Sequence, residues 1–456
     1  MRQWAIGGLA VLLLLAAQSA RALPYHALTT GNTPWHSLQL VRQAPPRPGK
    51  EQLLAQLAAV AGDEALGCSQ RRPLPAFEAH TRWRDALPVL DEAMRDRRVV
   101  MLNESHGRSR HRAFLQQLID RLHAQGVRAL AAETFADDVV AGTADGRVRA
   151  GSGVYTRDPV FAAAVRHALA LGWELLPYEA SVHVASREAR ERMQAQRLAD
   201  WLQAHPRQRL LVYVGGSHLD KRSEARWMAS HLMAMTGTEP LAIRQGATAC
   251  TGDDPAAWPT PPQAGVQAVV DGGRAPTAEA DWVVVHLPVP AVDARPGWLA
   301  TLPGRVPLHL CVPPSVEPAL LRVFDAGSDD QQVIAADQFP LADGQAQAMA
   351  WVLPGLYRIE LDMPTARASC SARWSSTRRQ RRGKAACRRG KPRTVPDMAR
   401  WLESPVVGPI SGVHNGVPRW IPARTRMSST PPRSCASAAA TRWPLPATAR
   451  SRWATR

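Results

Sequence analysis

The sequence lacks several features that would assign it to a common class. Beyond an N-terminal apolar run it has no stretch of about eighteen uninterrupted apolar residues, which a membrane-spanning helix requires. It has no GxSxG motif, which excludes the usual serine-esterase elbow, and no HExxH motif, so histidine spacing gives no independent support to a zinc site. No CxxCH pattern is present for covalent haem attachment. No segment repeats with a period of roughly 20 to 50 residues, which excludes solenoids and propellers.

The N-terminal segment has the three parts of a secretory signal peptide. Arg2 supplies the basic flank, Ala5 to Ala17 the apolar run, and Ala20-Arg21-Ala22 the small-residue pattern of a cleavage site. Residues 1–22 are therefore predicted to be removed, so that the mature chain begins at Leu23 and is exported to the periplasm. The alternative is an uncleaved N-terminal anchor, which would be the protein's contact with a membrane.

Positive charge is concentrated at the C-terminus. The chain has 456 residues, enough for two or three domains, and a formal net charge of +17. The segment from Ala366 to Arg456 holds 20 Lys and Arg residues but two acidic ones, so the preceding residues carry a net charge of −1. No nucleic-acid partner is therefore expected for the body. The segment 366–456 lacks hydrophobic periodicity and is predicted to be a disordered basic tail; the alternative is an arm for nucleic acid or anionic lipid.

Two cysteines flank the segment with the most regular patterning. Cys68 precedes it and Cys250 follows it, so in an oxidising compartment they could form a disulfide that closes this segment. The alternative is that both, like Cys311, are small buried apolar residues.

Strand-like runs alternate with segments whose apolar residues recur every three or four positions. This alternation predicts an α/β domain at residues 76–250, a three-layer fold with a mostly parallel sheet and helices on both faces, because each parallel crossover needs a helix-length connection. Strands are expected at Arg98–Leu102, Val127–Ala132, Glu174–Pro177, Arg209–Val214 and Pro240–Arg244. Helices are expected at Arg110–Gln125, Pro159–Leu171, Ser186–Ala204 and Ser223–Met235.

The rest of the body is divided by composition. Residues 23–75 are predicted to be an N-terminal lead-in with one helix, Glu51–Ala61. A Pro/Gly/Ala linker at 251–279 leads to a small antiparallel β-domain at 280–365, with a hairpin turn at Leu353-Pro354-Gly355. The strands of this β-domain are expected at Trp282–Leu287, Val306–Val312, Leu320–Phe324, Ala348–Leu353 and Tyr357–Leu361.

Polar side chains follow the predicted parallel strands. Glu104 and His106 come after the first strand, Glu133 after the second and His218 after the fourth. The carboxyl ends of parallel strands meet at one edge of the sheet, where ligands bind, so these residues are expected to form one pocket. His106 beside Glu104 is a candidate general base, and Glu133 is a partly desolvated acid or base with a raised pKa. His218 is a second acid/base or a stabiliser of negative charge.

Four further residues are predicted to contact a ligand. Tyr178 and Glu179 follow the third strand, His111 begins the helix after the first strand, and Arg187 opens the long helix. The two histidines and two glutamates of the pocket could instead bind a divalent ion such as zinc, manganese or iron. The metal ligands would then be Glu104, His106, Glu133 and His218.

These segments resemble the ChaN-like haem-binding uptake proteins, within a wider superfamily that includes the erythromycin esterases and the Tiki metalloproteases. The resemblance covers roughly Arg98 to Arg244. Its motifs are Glu104-x-His106 after an apolar strand; His111, Gln116 and Gln117 in the next helix; Glu133 at a strand end; Trp173–Tyr178; the Glu191–Arg197 helix with Met193; and Gly215-x-x-His218. One departure is Asn103, where the family usually has glycine; asparagine tolerates a left-handed backbone better than most residues.

Three functions are compatible with the sequence. The resemblance implies that the pocket binds a small-molecule ligand, haem or iron first, without turnover. The residues also favour a metal-independent hydrolase of the erythromycin-esterase type. In this hydrolase His106 activates water, Glu104 and Glu133 orient and polarise the reacting groups, and His218 assists the leaving group. A hydrolase that depends on a divalent metal is the third possibility. The sequence leaves these functions and the oligomeric state open.

Overall fold

The computed structural model describes residues 32–70, 83–179, 184–222, 224, 226–260, 267–270, 280–312, 318–363, 367–368 and 373–375. The predicted signal peptide, much of the predicted linker and the basic tail after Ser375 lie outside these ranges. Within the described part of the chain, no helix is both long and apolar enough to cross a membrane.

The main sheet contains eight strands: β1 (Trp83–Asp85), β2 (Val99–Glu104), β3 (Ala129–Ala132), β4 (Glu174–Pro177), β5 (Leu210–Gly215), β6 (Leu241–Thr248), β7 (Gln267–Val270) and β8 (Trp282–His286). Their spatial order is β1-β7-β8-β6-β2-β5-β3-β4. The six strands from β8 to β4 are parallel, and β7 and β1 add antiparallel pairings at one edge. The predicted α/β fold with a mostly parallel sheet is therefore confirmed.

Helices cover both faces of this sheet. Those within the described residues are α1 (Pro34–Gln43), α2 (Lys50–Ala61), α3 (Glu64–Ser69), α4 (Ala86–Met94), α5 (Ser109–Ala124), α6 (Val139–Gly142), α7 (Pro159–Ala170), α8 (Arg187–Ala204) and α9 (Met228–Thr236). Successive strand residues point to opposite faces. Val100 and Leu102 accordingly share a core with α4, α5 and α7, and Val99 and Met101 share another with α8 and α9.

The C-terminal strands form separate antiparallel sheets: β9 (Val306–Cys311), β10 (Ala319–Asp325), β11 (Asp337–Leu341), β12 (Gln347–Val352), β13 (Leu356–Asp362), β14 (Arg367–Ala368) and β15 (Arg373–Ser375). One sheet has the order β11-β10-β13-β14, with β15 also paired to β13, and β9 pairs with β12 in the other. Side chains of both sheets, such as Leu310 and Val323, contribute to one core.

Three expectations about the C-terminal half are corrected. The strand expected at Trp282–Leu287 is not part of the antiparallel β-domain, because β8 pairs in parallel with β6 in the main sheet. The Leu353-Pro354-Gly355 turn is not a hairpin, because it joins β12 and β13, which belong to different sheets. Strand pairing also continues to Ser375, into the segment predicted to be a disordered tail.

The N-terminal lead-in is packed against the rest of the protein. Trp35 of α1 and Leu57 of α2 share a core with Leu320 of β10. The disulfide between Cys68 and Cys250 is confirmed, and it ties α3 to the segment that follows β6. The shared core holds the lead-in against the antiparallel sheet, and the disulfide holds it near the carboxyl end of β6.

Candidate functional site

The four predicted pocket residues lie at the carboxyl edge of three neighbouring parallel strands. Glu104 is the last residue of β2, with His106 in the turn after it, and Glu133 directly follows β3. His218 lies in a short 3₁₀ turn, Gly216–Leu219, directly after β5. Because β5 lies between β2 and β3, the fold brings these residues to one cleft, as the sequence predicts.

His106 is held by Glu104 through one ring nitrogen. The distance from His106 Nδ1 to Glu104 Oε1 is 2.7 Å. When Nδ1–H donates to the carboxylate, Nε2 of the neutral imidazole carries the lone pair on the opposite side of the ring. Among the described residues, no hydrogen bond engages Nε2. This arrangement is that of a general base oriented by a carboxylate.

Glu104 is kept ionised by a buried arginine. Arg112 Nε donates to Glu104 Oε2 at 2.8 Å, and its Nη1 donates to Asp158 Oδ2 at 2.6 Å. Arg112 Nη2 also donates to the carbonyl oxygen of His106 at 2.9 Å, which fixes the turn. Burial raises the pKa of Glu104, but Arg112 and the hydrogen bond with His106 outweigh burial and lower this pKa to about 2.

Glu133 is the centre of a second network. Its Oε2 accepts from the backbone N–H of Gly215 at 2.8 Å, and its Oε1 accepts from Arg190 Nη2 at 2.7 Å and lies 3.4 Å from His218 Nε2. Burial raises the pKa of Glu133, but His218, with contributions from His106 and Arg190, lowers it well below the usual value. The expectation of a raised pKa at Glu133 is therefore wrong: nearby cations outweigh desolvation.

His218 is the cation that faces Glu133. Its Nδ1 lies 2.6 Å from Oε2 of Glu191, a fully buried residue of α8. Burial lowers the pKa of His218, but the hydrogen bonds to Glu133 and Glu191 raise it to about 9. His218 is therefore protonated at neutral pH.

Gly215 lies where the two networks approach each other. A β-carbon at this position would lie 3.2 Å from Glu133 Oε2 and 3.4 Å from His106 Nε2. The backbone of Gly215 (φ −67°, ψ 162°) is one that any residue adopts. The glycine therefore matters for the close approach that it allows to a carboxylate oxygen and a ring nitrogen.

Arg190 occupies the rim of the cleft. Its side chain is one third exposed. It joins Glu133 to Glu179, to which its Nε donates at 2.9 Å, and Gln194 Nε2 also donates to Glu179 at 3.0 Å. Glu179, one of the predicted ligand-contacting residues, is thus held in a pair with a cation.

Two other predicted ligand-contacting residues have different surroundings. Tyr178 is fully buried, and its hydroxyl donates to the carbonyl oxygen of Tyr213 at 3.2 Å. Arg187 is exposed, and its guanidinium carbon lies 4.1 Å from the ring centroid of Trp227. The ring of Trp227 in turn lies edge-on to His218, which places Arg187 at the outer margin of the site.

His111 supports the turn that carries His106. Its Nδ1 accepts from the backbone N–H of Ser105 at 2.9 Å, and its Nε2 lies 2.7 Å from Thr248 Oγ1. Burial lowers the pKa of His111 to about 3, so the ring is neutral. Both ring nitrogens of His111 are therefore occupied by contacts within the protein.

Asn103 lies where the resemblance to the ChaN-like proteins predicts glycine. It lies inside β2, and its φ is not positive, so no left-handed turn is required there. Its Oδ1 accepts from the backbone N–H of Gln245 at 2.5 Å. Asparagine therefore ties β2 to β6 beside the site.

Sequence reasoning missed four residues that shape the cleft: Arg112, Tyr155, Asp158 and Arg190. Arg112 lies one turn into the helix that follows Glu104, and Asp158 precedes a proline at a helix start, so helix position provides a weak signal for both. Arg190 precedes Glu191, a residue of the family motif. Tyr155 begins a short 3₁₀ turn, Tyr155–Arg157, and no local pattern marks it.

A metal ion or haem needs a group of side chains whose ligand atoms are directed at one point. In the parts of the chain that the structure describes, no three His, Cys, Asp or Glu side chains are grouped as ligands of a metal ion. Glu104 and Glu133 are each paired with an arginine instead, and both ring nitrogens of His218 face carboxylates, those of Glu133 and Glu191. Tyr178 is buried and hydrogen-bonded. The residues present therefore do not fit a divalent ion or a tyrosine-ligated haem.

Comparisons with known proteins identify no family for this chain. No family model matches it, and no curated relative does. Among solved structures, the type III effector HopBA1 is similar over 47% of this chain and 99% of that chain, with 15% identity and a TM-score of 0.32. RRSP, a MARTX toxin effector domain from Vibrio vulnificus, is similar over 28% of this chain and 30% of that chain, with 19% identity and a TM-score of 0.23.

The C-terminal region of Pasteurella multocida toxin, described as having a thiol-protease-like catalytic triad, is similar over 38% of this chain and 27% of that chain. Its identity is 11% and its TM-score is 0.23. The chain thus spans less than a third of the length of the two toxin structures. Similarities with TM-scores this low support no inference about function.

Proposed function

We propose that this chain is a metal-independent hydrolase whose general base is His106. The observation that carries the proposal is the orientation of His106: Glu104 holds Nδ1 at 2.7 Å, and Nε2 and Glu133 Oε2 lie 3.4 Å and 3.2 Å from the position that a β-carbon of Gly215 would occupy. The same residues carry the resemblance to the ChaN, erythromycin esterase and Tiki superfamily. The proposed activity is the one that the resemblance offers as the alternative to haem or iron binding, that of the erythromycin esterases.

The proposed reaction moves one proton from water to His106 and then from His106 to the leaving oxygen. A water molecule over Gly215 would donate one hydrogen bond to Nε2 of His106 and one to Oε2 of Glu133. His106 takes a proton from this water as the water oxygen attacks the carbonyl carbon of an ester or lactone. As the bond from that carbon to the leaving oxygen breaks, the imidazolium returns the proton to the leaving oxygen, and Glu104 stabilises the imidazolium meanwhile.

Glu133 and His218 have supporting roles in this scheme. The lowered pKa of Glu133 makes its carboxylate a weak base, so it orients the water and leaves proton transfer to His106. Protonated His218 keeps Glu133 ionised. Arg190, at the rim, is the nearest described cation to Glu133 that is partly exposed, and it is placed to face a polar substrate group.

We also propose that the protein is exported to the periplasm. The predicted signal peptide supports this location, and so does the disulfide between Cys68 and Cys250, because such bonds persist in oxidising compartments.

The test is a hydrolysis assay on the full chain after dialysis against EDTA, with p-nitrophenyl esters and lactones as substrates. We expect turnover by the wild type that chelation leaves unchanged, and a loss of about 10²-fold to 10⁴-fold in His106→Gln. His167→Gln is the matched control. His167 also pairs with a carboxylate, that of Asp120, and its side chain is 26% exposed against 22% for His106.

Haem titration followed by absorbance separates turnover from haem binding. A saturable Soret band that is lost in His106→Gln, in a protein that turns over none of the substrates, would refute the hydrolase proposal. Turnover restored by added zinc or manganese after chelation would contradict metal independence.

A further inference from the structure

Tyr155 contacts both His106, the candidate base, and Arg112, which helps to hold Glu104 and His106 in place. Its ring is stacked on the ring of His106, with centroids 4.1 Å apart and an interplanar angle of 14°. The guanidinium carbon of Arg112 lies 5.6 Å from the centroid of the Tyr155 ring. One face of the His106 ring is therefore covered by an aromatic surface, while Glu104 holds its edge.

The backbone of Tyr155 is anchored to the residue that follows Glu133. The N–H of Tyr155 donates to Thr134 Oγ1 at 2.7 Å. Two residues before Tyr155, Gly153 passes so close to Thr134 that a β-carbon would lie 2.2 Å from the Thr134 carbonyl oxygen. Phe135 and Gly153 also form an antiparallel bridge. The segment that places Glu133 therefore also places the Tyr155 ring.

We propose that Tyr155 is a positioning residue for His106 and links the Glu133 side of the cleft to the Glu104–His106 pair. This inference rests on the proposed function. The stacked ring restricts rotation of the imidazole, so that Nε2 stays directed at the point above Gly215. The face of the phenol ring also attracts the imidazolium that forms when His106 takes a proton.

The charged groups near His106 contact one edge of its ring and its backbone, and they leave the ring face to Tyr155. Glu104 on β2 holds Nδ1 at one edge of the ring, and Arg112 on α5 donates to the carbonyl oxygen of His106. Tyr155 covers the face of the ring and holds its plane.

The first test compares Tyr155→Phe with Tyr155→Leu in the full chain. Phenylalanine keeps the stack and leucine removes it at similar volume. We expect Tyr155→Phe to retain kcat within about threefold, and Tyr155→Leu to lose about tenfold or more in kcat with little change in KM, because the ring acts on the base and not on substrate binding. Equal kcat in the two variants would overturn the inference. Thermal unfolding of both variants checks that they are folded.

The second test does not depend on turnover. Diethyl pyrocarbonate modifies neutral histidine, and peptide mass spectrometry gives the rate at each site. His167 is the reference within the same sample, because its exposure matches that of His106 and it also pairs with a carboxylate. We expect the ratio of His106 to His167 modification to rise several-fold in Tyr155→Leu and to stay at the wild-type value in Tyr155→Phe.

The two tests separate failure of the inference from failure of the proposed function. A changed modification ratio in a protein without any hydrolytic turnover would refute the proposed function and still support the placement of His106 by Tyr155. An unchanged ratio in Tyr155→Leu would overturn the inference whatever the turnover.

Discussion

Glu133 Oε2 and His106 Nε2 approach the same point above Gly215, at 3.2 Å and 3.4 Å from the position that a β-carbon would occupy. The two groups reach this point from different strands, Glu133 after β3 and His106 after β2. Both are acceptors when Glu133 is ionised and His106 is neutral, so the pair suits a molecule that donates two hydrogen bonds. Water is such a molecule, and substitution of Gly215 tests whether the approach of Glu133 and His106 to this point matters.

Gly215→Ala should crowd Glu133 and His106 without changing the φ and ψ of the backbone. The added methyl group would press on Glu133 Oε2 and His106 Nε2 and move them away from the proposed water, so we expect kcat/KM to fall by about 10²-fold, the usual effect of removing a positioned group in the transition state. Stability should fall modestly, because the φ and ψ of Gly215 suit alanine but the methyl group lies closer to Glu133 Oε2 than an ordinary contact. Kinetics on esters and thermal unfolding provide the two measurements.

Gly216→Ala is the matched control for this variant. A β-carbon at Gly216 would meet Asn103 Nδ2 at 3.6 Å, an ordinary contact distance. We expect wild-type kinetics. Equal losses in the two alanine variants would show that the approach of Glu133 and His106 to Gly215 has no special role.

Glu104 should make stability depend on pH in the acid range. Its pKa is lowered from 4.5 to about 2 in the folded protein, so its ionised form favours folding above pH 4.5, and this contribution is lost as the pH falls toward 2. A shift of this size corresponds to about 3 kcal/mol in the free energy of unfolding. In urea titrations, Glu104→Gln should be less stable than the wild type at pH 6, and the difference should shrink between pH 4.5 and pH 2.

Glu92→Gln provides the comparison for Glu104. Glu92 also pairs with an arginine, Arg95, but both side chains are well exposed, and exposed pairs contribute little. We expect its urea midpoint to follow that of the wild type at every pH. A stability difference for Glu104→Gln that stays constant from pH 6 to pH 2 would contradict the assignment of the buried pair.

His218 should set the alkaline limit of activity. It should also make stability depend on pH with a sign opposite to that of Glu104. Its pKa is raised from 6.5 to about 9, so the charged ring contributes stability that is fully present below pH 6.5 and lost as the pH rises through about 9. Because the charged ring keeps Glu133 in place, kcat/KM should decline over the same range. In His218→Gln, kcat/KM should be reduced near pH 7 and should lack a decline near pH 9. If kcat/KM still declines near pH 9 in His218→Gln, another group causes the alkaline limb of the pH profile.

The Cys68–Cys250 disulfide should contribute substantially to stability. It joins residues 182 positions apart, and removal of a native disulfide that closes a long loop costs about 2 to 5 kcal/mol. Cys68→Ser/Cys250→Ser should therefore unfold at lower urea concentration than the wild type under oxidising conditions. Dithiothreitol should lower the wild-type midpoint toward that of the double variant; a wild-type midpoint that is insensitive to reductant would argue against the bond.

The sequence by itself determined the parallel α/β sheet and the placement of Glu104, His106, Glu133 and His218 at one edge. Alternating strand-like and helix-like segments leave few topologies open, and the carboxyl ends of parallel strands lie together in all of them. The tertiary structure decided what surrounds these residues. The pKa of Glu133 is lowered because Arg190 and His218 reach it from other segments, and burial engages Tyr178 in the core.

The remaining differences between what the sequence predicts and what the structure has share one physical origin. Tyr155 faces His106 because its backbone is anchored to Thr134. Strand β8 joins the main sheet beside β6, although the sequence near β8 looks like that of the antiparallel strands after it. Hydrophobic periodicity records which face of an element is buried, but it does not record which partner buries that face. Charge networks and ring stacks depend on distances of a few ångströms between residues far apart in the chain, and only the folded structure sets those distances.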